Sequence, residues 1–294
     1  MDGDLLISVI IVGYNAGRQL SFCLDSIYNQ SYGNFEVIFV NNGSTDDTEL
    51  ILKLYPEVKL INNKQNEGFC FANNQGINTA KGTYIFTLNS DVVLDRNFLM
   101  EMRNALEFSK AALFAPKMLK KDGATIDSTG LILSRFYRFL DRGSGSIDNG
   151  QNPSQEILGP CAAAALYSKE MLEDIKYDGE YFDEDFFFLG EDFDLAWRAK
   201  KRGWKTMFVP QAICYHQRNS SNFNSRFRQY LSFRNRSFLL IKNWKIDTKY
   251  FPVFILYDLP RFIYMLCTNR YTWRALYEII RYTPKRSRKR YSLC

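Results

Sequence analysis

Short apolar runs alternate with segments of helical spacing through the first part of the chain. The predicted strands comprise residues 7–12, 36–40, 58–61 and 83–88. The predicted helices between them comprise residues 20–28, 44–54 and 69–80. Alternation of this kind predicts parallel β-α-β units and a mostly parallel, doubly wound α/β sheet. Ligands of such sheets bind beyond the carboxyl ends of the strands.

Residues 191–216 are predicted to contain one helix followed by strands. Residues 191–202 have the spacing of an amphipathic helix. Residues 204–209 and 212–216 are predicted to form two separate late strands. Asp194 and Arg198 are four positions apart, which predicts an ion pair on the helix surface.

A second apolar region lies near the C-terminus, at residues 250–267, and Asp258, Pro260 and Arg261 interrupt it. A further apolar set among basic residues comprises Trp273, Tyr277, Ile280 and Tyr282. Residues 285–290 then carry five basic side chains. A membrane-spanning helix needs about 20 apolar residues, so an interfacial pair of short helices on an anionic membrane is expected. The alternative is that the apolar run packs on the catalytic domain or on a second subunit.

Charge and cysteine content narrow the classes of partner. From Arg270 to the end there are eight Lys and Arg against one Glu, and the rest of the chain has 30 basic and 31 acidic residues. The body therefore lacks a basic stripe for a phosphate backbone, and no nucleic acid is expected. The six cysteines are scattered without a C-x-x-C pair, which is typical of free thiols in a reducing cytosol. Residues 1–4 do not open a signal peptide.

The chain lacks the glycine-rich motifs that commonly bind phosphate. It contains neither a G-x-G-x-x-G loop after the first strand nor a G-x-x-x-x-G-K-[ST] motif. A divalent cation held by carboxylate is the common alternative for neutralising phosphate. Asn89-Ser90-Asp91 directly follows a predicted strand, so Asp91 is the candidate ligand. The alternative interpretation of this motif is an ordinary polar turn.

Two further features can complete a catalytic site. Glu191 and Asp192 begin a helix, and Asp183, Glu184 and Asp185 lie just before it among phenylalanines. Like charges beside apolar walls raise carboxyl pKa values and make a base more effective. His216, the single histidine, follows a late strand and can complete a metal shell. The alternatives are that the acidic residues only stabilise the start of the helix and that the imidazole has a structural role.

The ordered set of these motifs resembles glycosyltransferase family 2, which has the nucleotide-diphospho-sugar transferase (GT-A) fold. The matching segments are 9–15, 23–27, 36–46, 66–69, 72–76, 89–91, 190–195 and His216. They follow the family's order over about residues 7–218. The sequence is most similar to the branch that includes bacterial rhamnosyltransferases of cell-envelope polysaccharides.

The resemblance implies roles for individual residues. Tyr14 and Asn41 would flank the nucleobase, with Asn66 and Gly68 nearby. The remaining implied donor-site residues are Val12, Asn15, Asn89 and Ser90. Asp91 and His216 would bind Mg²⁺ or Mn²⁺ at the diphosphate, Asp192 would be the general base and Glu191 its neighbour. Many family members have Asp where Asn41 and Asn89 stand, so the site has less negative charge.

The resemblance also implies an organisation and an activity. Residues 1–218 would form the catalytic domain, with a donor half at about 1–125 and an acceptor half at about 126–218. Residues 219–294 would form a helical C-terminal appendage that docks on the inner face of the cell membrane.

The expected enzyme is an inverting transferase using dTDP-L-rhamnose or a UDP-hexose. Its acceptor would be a hydroxyl of a lipid-linked (polyprenyl) cell-envelope glycan. Alternatives are an inactive sugar-nucleotide binding module and a transferase with a soluble protein or small-molecule acceptor. A nucleotidyltransferase would need a basic glycine-rich loop that is missing here.

Overall fold

The computed structural model describes residues 5–134, 138–151, 156–218, 224–243 and 250–291, with side chains as far as residue 283. The strands are β1 (Ile7–Gly13), β2 (Phe35–Asn41), β3 (Lys59–Asn62), β4 (Tyr84–Asn89), β5 (Val92–Leu94), β6 (Leu113–Lys120), β7 (Ile126–Ser128), β8 (Leu131–Leu133), β9 (Phe139–Asp141), β10 (Ala164–Ser168) and β11 (Thr206–His216). The helices are α1 (Gly17–Tyr28), α2 (Thr48–Leu52), α3 (Phe69–Thr79), α4 (Phe98–Phe108), α5 (Lys169–Ile175), α6 (Glu191–Lys201), α7 (Ser225–Asn243), α8 (Phe251–Val253), α9 (Leu259–Thr268) and α10 (Thr272–Tyr291).

Nine strands of the described chain form one sheet, in the order β3-β2-β1-β4-β10-β6-β11-β5, with β7 added beside β6. The strands β3, β2, β1 and β4 are parallel, as the alternating pattern predicted. Beyond β4 the sheet is mixed, because β10 is antiparallel to both β4 and β6. The strands β8 and β9 form a separate hairpin.

Helices cover both faces of the sheet, which confirms the doubly wound α/β class. On one face, α1 and α4 pack against alternate side chains of β1, such as Val9 and Ile11. On the other face, α3, α5, α6 and α7 pack around Ile10 and Tyr167. Since successive side chains of a strand point to opposite faces, β1, which is apolar except for Ser8, supplies both layers.

The two late strands predicted at residues 204–209 and 212–216 form a single strand in the structure, β11. Its pairing with β6 shifts register between Val209 and Ile213. Pro210 lies in this irregular segment and has no N–H to give to a ladder, so the pairing must shift around it. The prediction of two strands was wrong because a bulge and a strand break look alike in sequence.

The C-terminal region is helical, and its first helix packs on the catalytic fold. Phe238 and Leu239 of α7 belong to the core on the α6 face of the sheet. Residues 251–268 follow as one helical run of α8, a π turn (Phe254–Asp258) and α9. The π turn comes just before Pro260, whose ring disturbs regular helical hydrogen bonding. The basic run 285–290 lies in α10, and its side chains are outside the described residues.

Candidate functional site

A cavity of about 330 Å³ lies beyond the carboxyl ends of β1 and β4 and against the start of α6. The predicted site residues that line it are Val12, Tyr14, Asn66, Gly68, Asn89, Ser90, Asp91, Glu191, Asp192 and His216. We name this space the central cavity. Residues distant in sequence meet there because the first turn of α6 reaches the strand ends of the sheet. The volume is within the range of small-molecule pockets.

Asn15 and Asn41 do not line the central cavity. Asn15 joins the loop after β1 to the loop after β2, and Asn41 joins the loop after β2 to the end of β3. The Oδ1 atom of Asn15 accepts from the N–H of Thr45 at 2.8 Å. The Oδ1 atom of Asn41 accepts from the N–H of Ser44 at 3.0 Å, and its Nδ2 donates to Asn62 at 3.1 Å. The next residue, Asn42, lines the cavity instead. Asn42 was not among the residues predicted from the sequence.

Asn66 and Gly68 form a shaped wall of the central cavity. Asn66 Oδ1 accepts from the N–H of Gly68 and from Nδ2 of Asn42, each at 3.0 Å. Gly68 has φ +93°, and a Cβ there would lie 2.5 Å from the ring of Phe187. A side chain at position 68 is therefore excluded both by backbone conformation and by space.

Asp91 and His216 meet because of strand pairing. The strand β5 starts directly after Asp91, and His216 at the end of β11 pairs with Val92. Nε2 of His216 lies 3.3 Å from Oδ1 of Asp91, and both residues are buried. These two side chains, predicted as metal ligands, therefore face each other at one end of the cavity.

Asp127 supports the imidazole from its other side. Oδ2 of Asp127 lies 2.8 Å from Nδ1 of His216, and Nε of Arg218 lies 2.5 Å from Oδ1 of Asp127. Burial acts against the imidazolium, but the hydrogen bonds and charges of Asp127 and Asp91 outweigh it and raise the pKa of His216 to about 9. Burial acts to raise the pKa of Asp127, but the hydrogen bonds and charges of His216 and Arg218 outweigh it and lower that pKa.

The donor set fits a divalent cation. A carboxylate on Nδ1 of a histidine fixes the tautomer whose Nε2 lone pair can bind metal, and here Nε2 points at a second carboxylate. Among the described residues no group of three or more His, Cys, Asp or Glu could hold an ion by itself. Asp91 and His216 would hold a cation whose remaining ligands come from the substrate or from water.

Glu191 and Asp192 lie in the first turn of α6, after Gly190 in the left-handed conformation. Burial, followed by the charge of Asp141, raises the pKa of Asp192 to about 7. Burial, followed by the charge of Asp192, raises the pKa of Glu191 well above its usual range. Oε2 of Glu191 is buried without a hydrogen-bond partner among the described residues. Both carboxyls line the cavity. The raised pKa of Asp192 is suited to a general base that works near neutrality.

The predicted ion pair of Asp194 and Arg198 forms, but its predicted location on the surface is wrong, because both side chains are buried. Asp194 accepts from Arg198 at 2.9 Å, from Lys242 at 2.8 Å and from Asn243 at 2.8 Å. Lys242 also reaches Asp183 at 2.7 Å. Helical spacing predicted the pair, but it could not show that α7 would cover it. Asp183 thus supports structure and does not face the central cavity.

Three charged residues of the cavity were missed by sequence reasoning: Asp141, Arg218 and Arg228. Arg218 lies 3.3 Å from Asp141 and comes two residues after His216, which was the only available signal. Arg228 belongs to α7, so the C-terminal region contributes to the cavity. Guanidinium groups are suited to binding phosphate oxygens.

Comparison with known proteins shows the family and the fold. The model of Glycosyl transferase family 2 matches residues 8–176. Poly-beta-1,6-N-acetyl-D-glucosamine synthase of Staphylococcus aureus is 25% identical over 71% of this chain and 49% of its own length. The chain spans 34% or less of the length of the first curated relatives it matches.

Solved structures show the same fold. The S. aureus TarS 1–349 complex with UDP-GlcNAc has a TM-score of 0.61 at 17% identity, over 98% of this chain and 90% of that one. A mannosyltransferase from Pyrobaculum calidifontis, in complex with GDP-Man and Mn²⁺, has a TM-score of 0.58 at 14% identity, over 98% and 84%. The fold is the GT-A fold, and the chain belongs to glycosyl transferase family 2.

Proposed function

We propose that the chain is a metal-dependent, inverting glycosyltransferase that uses a nucleotide-diphosphate sugar. One observation carries the proposal: the central cavity brings the Asp91–His216 pair together with the buried carboxyl of Asp192. Within the same cavity, the Asp91–His216 pair can therefore receive a diphosphate and Asp192 can accept a proton. An inactive binding module would not need the second feature.

The residues divide the reaction between them. Asp192 accepts the proton of the acceptor hydroxyl as its oxygen forms a bond to the anomeric carbon. The bond from that carbon to the diphosphate oxygen breaks on the opposite face, which inverts the configuration. Arg218 and Arg228 can donate to the leaving diphosphate. A cation on Asp91 and His216 would supply positive charge that stabilises this leaving group.

The proposed donor rests on Tyr14 and on the cavity wall that Asn66 and Gly68 form. Tyr14 follows the carboxyl end of β1 and is 37% exposed, so its ring can stack on a base. The complexes of the structural neighbours contain UDP-GlcNAc or GDP-Man, which supports a nucleotide-sugar donor here. We favour a UDP-hexose, with dTDP-L-rhamnose as the alternative.

The acceptor half of the proposal is a hydroxyl of a lipid-linked glycan, with the enzyme docked peripherally on the cytoplasmic face of the cell membrane. In the described part of the chain, one helical run, Phe251–Thr268, is long and apolar enough to cross a membrane. Only 17% of it is buried, and its exposed side chains include Phe251, Leu256, Ile263 and Tyr264. Asp258 in this run is bonded to Arg236 of α7. A helix held to the protein along one face is better suited to lie on the membrane than to span it.

The test of the catalytic proposal is binding followed by transfer. Nucleotide sugars are screened for thermal stabilisation with Mn²⁺, since a ligand at about a hundred times its Kd adds roughly 2.7 kcal/mol. The stabilising donor is then offered with glycan acceptors, and products are identified by mass spectrometry. We expect Asp91→Ala and metal chelation to weaken donor binding. Lack of stabilisation by every nucleotide sugar would contradict the function, and full activity without metal would contradict the metal dependence.

A further inference from the structure

A second cavity, of about 230 Å³, lies beside the central cavity. Its main lining side chains are Arg138, Phe139, Phe193, Arg236, Tyr257 and Arg261. We name it the arginine cavity. Leu189, Gly190 and Phe193 line both cavities, so the two spaces flank the segment that carries Glu191 and Asp192.

The arginine cavity carries uncompensated positive charge. No carboxylate lines it, and only Arg236 has an acidic partner, Asp258, at 2.6 Å. Within the described residues Arg138 and Arg261 make no ion pair. Nη2 of Arg261 donates to Ser232 at 3.1 Å, and the guanidinium of Arg138 lies 5.5 Å from the ring centre of Tyr257.

Other enclosed cations of the same region are paired. Arg234 lies 2.7 Å from Glu278, and Lys242 lies 2.7 Å from Asp183. Two guanidiniums that share one concave site without a carboxylate form a receptor for a multivalent oxyanion, because each presents a planar fork of donors.

We propose that the arginine cavity binds the diphosphate group that links the acceptor glycan to its polyprenyl carrier. This inference rests on the proposed function, since it assumes a lipid-linked acceptor. The cavity is next to the catalytic acids, so a sugar attached to an anion here can extend toward Asp192. Tyr257 and Arg261 belong to the same helical run as the exposed Phe254 and Ile263, so the lipid chain can leave along an apolar surface.

The probe is farnesyl diphosphate, titrated by calorimetry into the full chain in the presence of a metal chelator. Chelation removes any cation that would hold a diphosphate at Asp91 and His216, but Arg218 and Arg228 of the central cavity remain, so binding there is tested separately below. We expect Arg138→Ala and Arg261→Ala each to weaken binding about tenfold, the scale of one lost charge-assisted hydrogen bond. Arg270→Ala removes an equal charge from an exposed position outside the cavity and should leave binding unchanged.

Two further arms identify the site and the source of the phosphate. Arg228→Ala removes a cation of the central cavity and should not weaken farnesyl diphosphate binding, and a loss would mean that the probe occupies the central cavity. The Arg138→Ala/Arg261→Ala double variant should bind phosphatidylglycerol vesicles as well as the parent chain does. An equal loss on vesicles would assign the arginines to bilayer headgroups and overturn the carrier site.

The outcomes also separate this inference from the function on which it rests. If nucleotide sugars stabilise the protein but farnesyl diphosphate binds all variants equally, or does not bind, the arginine cavity is not a carrier site and the transferase proposal stands. If no nucleotide sugar binds, the transferase proposal itself fails.

Discussion

Nδ1 of His216 lies 2.8 Å from Oδ2 of Asp127, a fully buried carboxylate on the short strand β7. The contact closes a chain from Arg218 through Asp127 to His216 and on to Asp91. A histidine held in this way presents Nε2 in one fixed direction, which is the arrangement that raises the affinity of an imidazole for a metal ion.

We predict that Asp127→Asn weakens Mn²⁺ binding by about 10- to 100-fold, because the amide no longer orients and polarises the imidazole. The measurement is calorimetric titration of Mn²⁺ in the presence of the donor nucleotide. Asp122→Asn makes the same change at an exposed turn nearby and should keep the parent affinity. Unchanged affinity in Asp127→Asn would mean that His216 is not a ligand.

We predict that Asp192→Asn lowers turnover by about 10²-fold or more, the usual scale for a lost general base. The amide keeps the shape of the side chain and removes its basicity, so donor binding should barely change. Steady-state transfer and donor titration are measured together. Normal transfer by Asp192→Asn alongside an inactive Glu191→Gln would show that Glu191 is the base.

The pH profile of kcat/KM reports the same carboxyl in the free enzyme. Asp192 must be ionised to accept a proton, so activity should rise as the pH increases through about 7, the pKa of this group. Groups near Asp192 are Glu191, Asp141 and, through Asp141, Arg218.

Asp141→Asn removes a negative charge that raises the pKa of Asp192, so the ascending limb should move to lower pH. Asp122→Asn should leave the limb in place. A limb that stays fixed in Asp141→Asn would mean that another group titrates in the profile.

The sequence was enough to predict the first four strands, and most of the site residues predicted from it line the central cavity, because local patterns and ordered motifs carry that information. Asp127 was not predictable, since it follows a polar turn and acquires its role only when β7 pairs with β6. The covering of Asp194 by Lys242 depends on residues 48 positions apart in different elements. The sequence of helix α6 alone has no feature that specifies the contact between Asp194 and Lys242. Contacts between distant elements were therefore the part that sequence reasoning missed.

We predict that Lys242→Met destabilises the protein by about 3–5 kcal/mol, because it removes the buried cation that Asp183 and Asp194 share and leaves Arg198 alone to neutralise Asp194. Urea unfolding is the measurement. Lys176→Met removes the exposed partner of Glu173 and should cost less than about 1 kcal/mol. Equal stability of Lys242→Met and the parent chain would show that α7 is not held to α6 through this network.

The last prediction concerns the membrane. A chain ending near Asn243 should lose flotation with anionic liposomes that the intact protein shows at low salt, since the exposed apolar helices and the basic end are removed. This truncation also removes Asp258 and Glu278, the partners of Arg236 and Arg234, so the shortened chain can fail to fold. Substitutions at exposed positions avoid that problem.

Leu256, Trp273 and Ile280 are 79%, 70% and 72% exposed, so Glu at these positions should leave the fold intact. We expect the triple variant to float at least about tenfold less, because apolar contact and charge both become unfavourable on an anionic surface. Phe108→Glu, at an 85% exposed position on α4, is the control and should float like the parent. If the parent does not float, or the triple variant floats equally well, the apolar surface covers a protein partner instead and the enzyme meets its acceptor in solution.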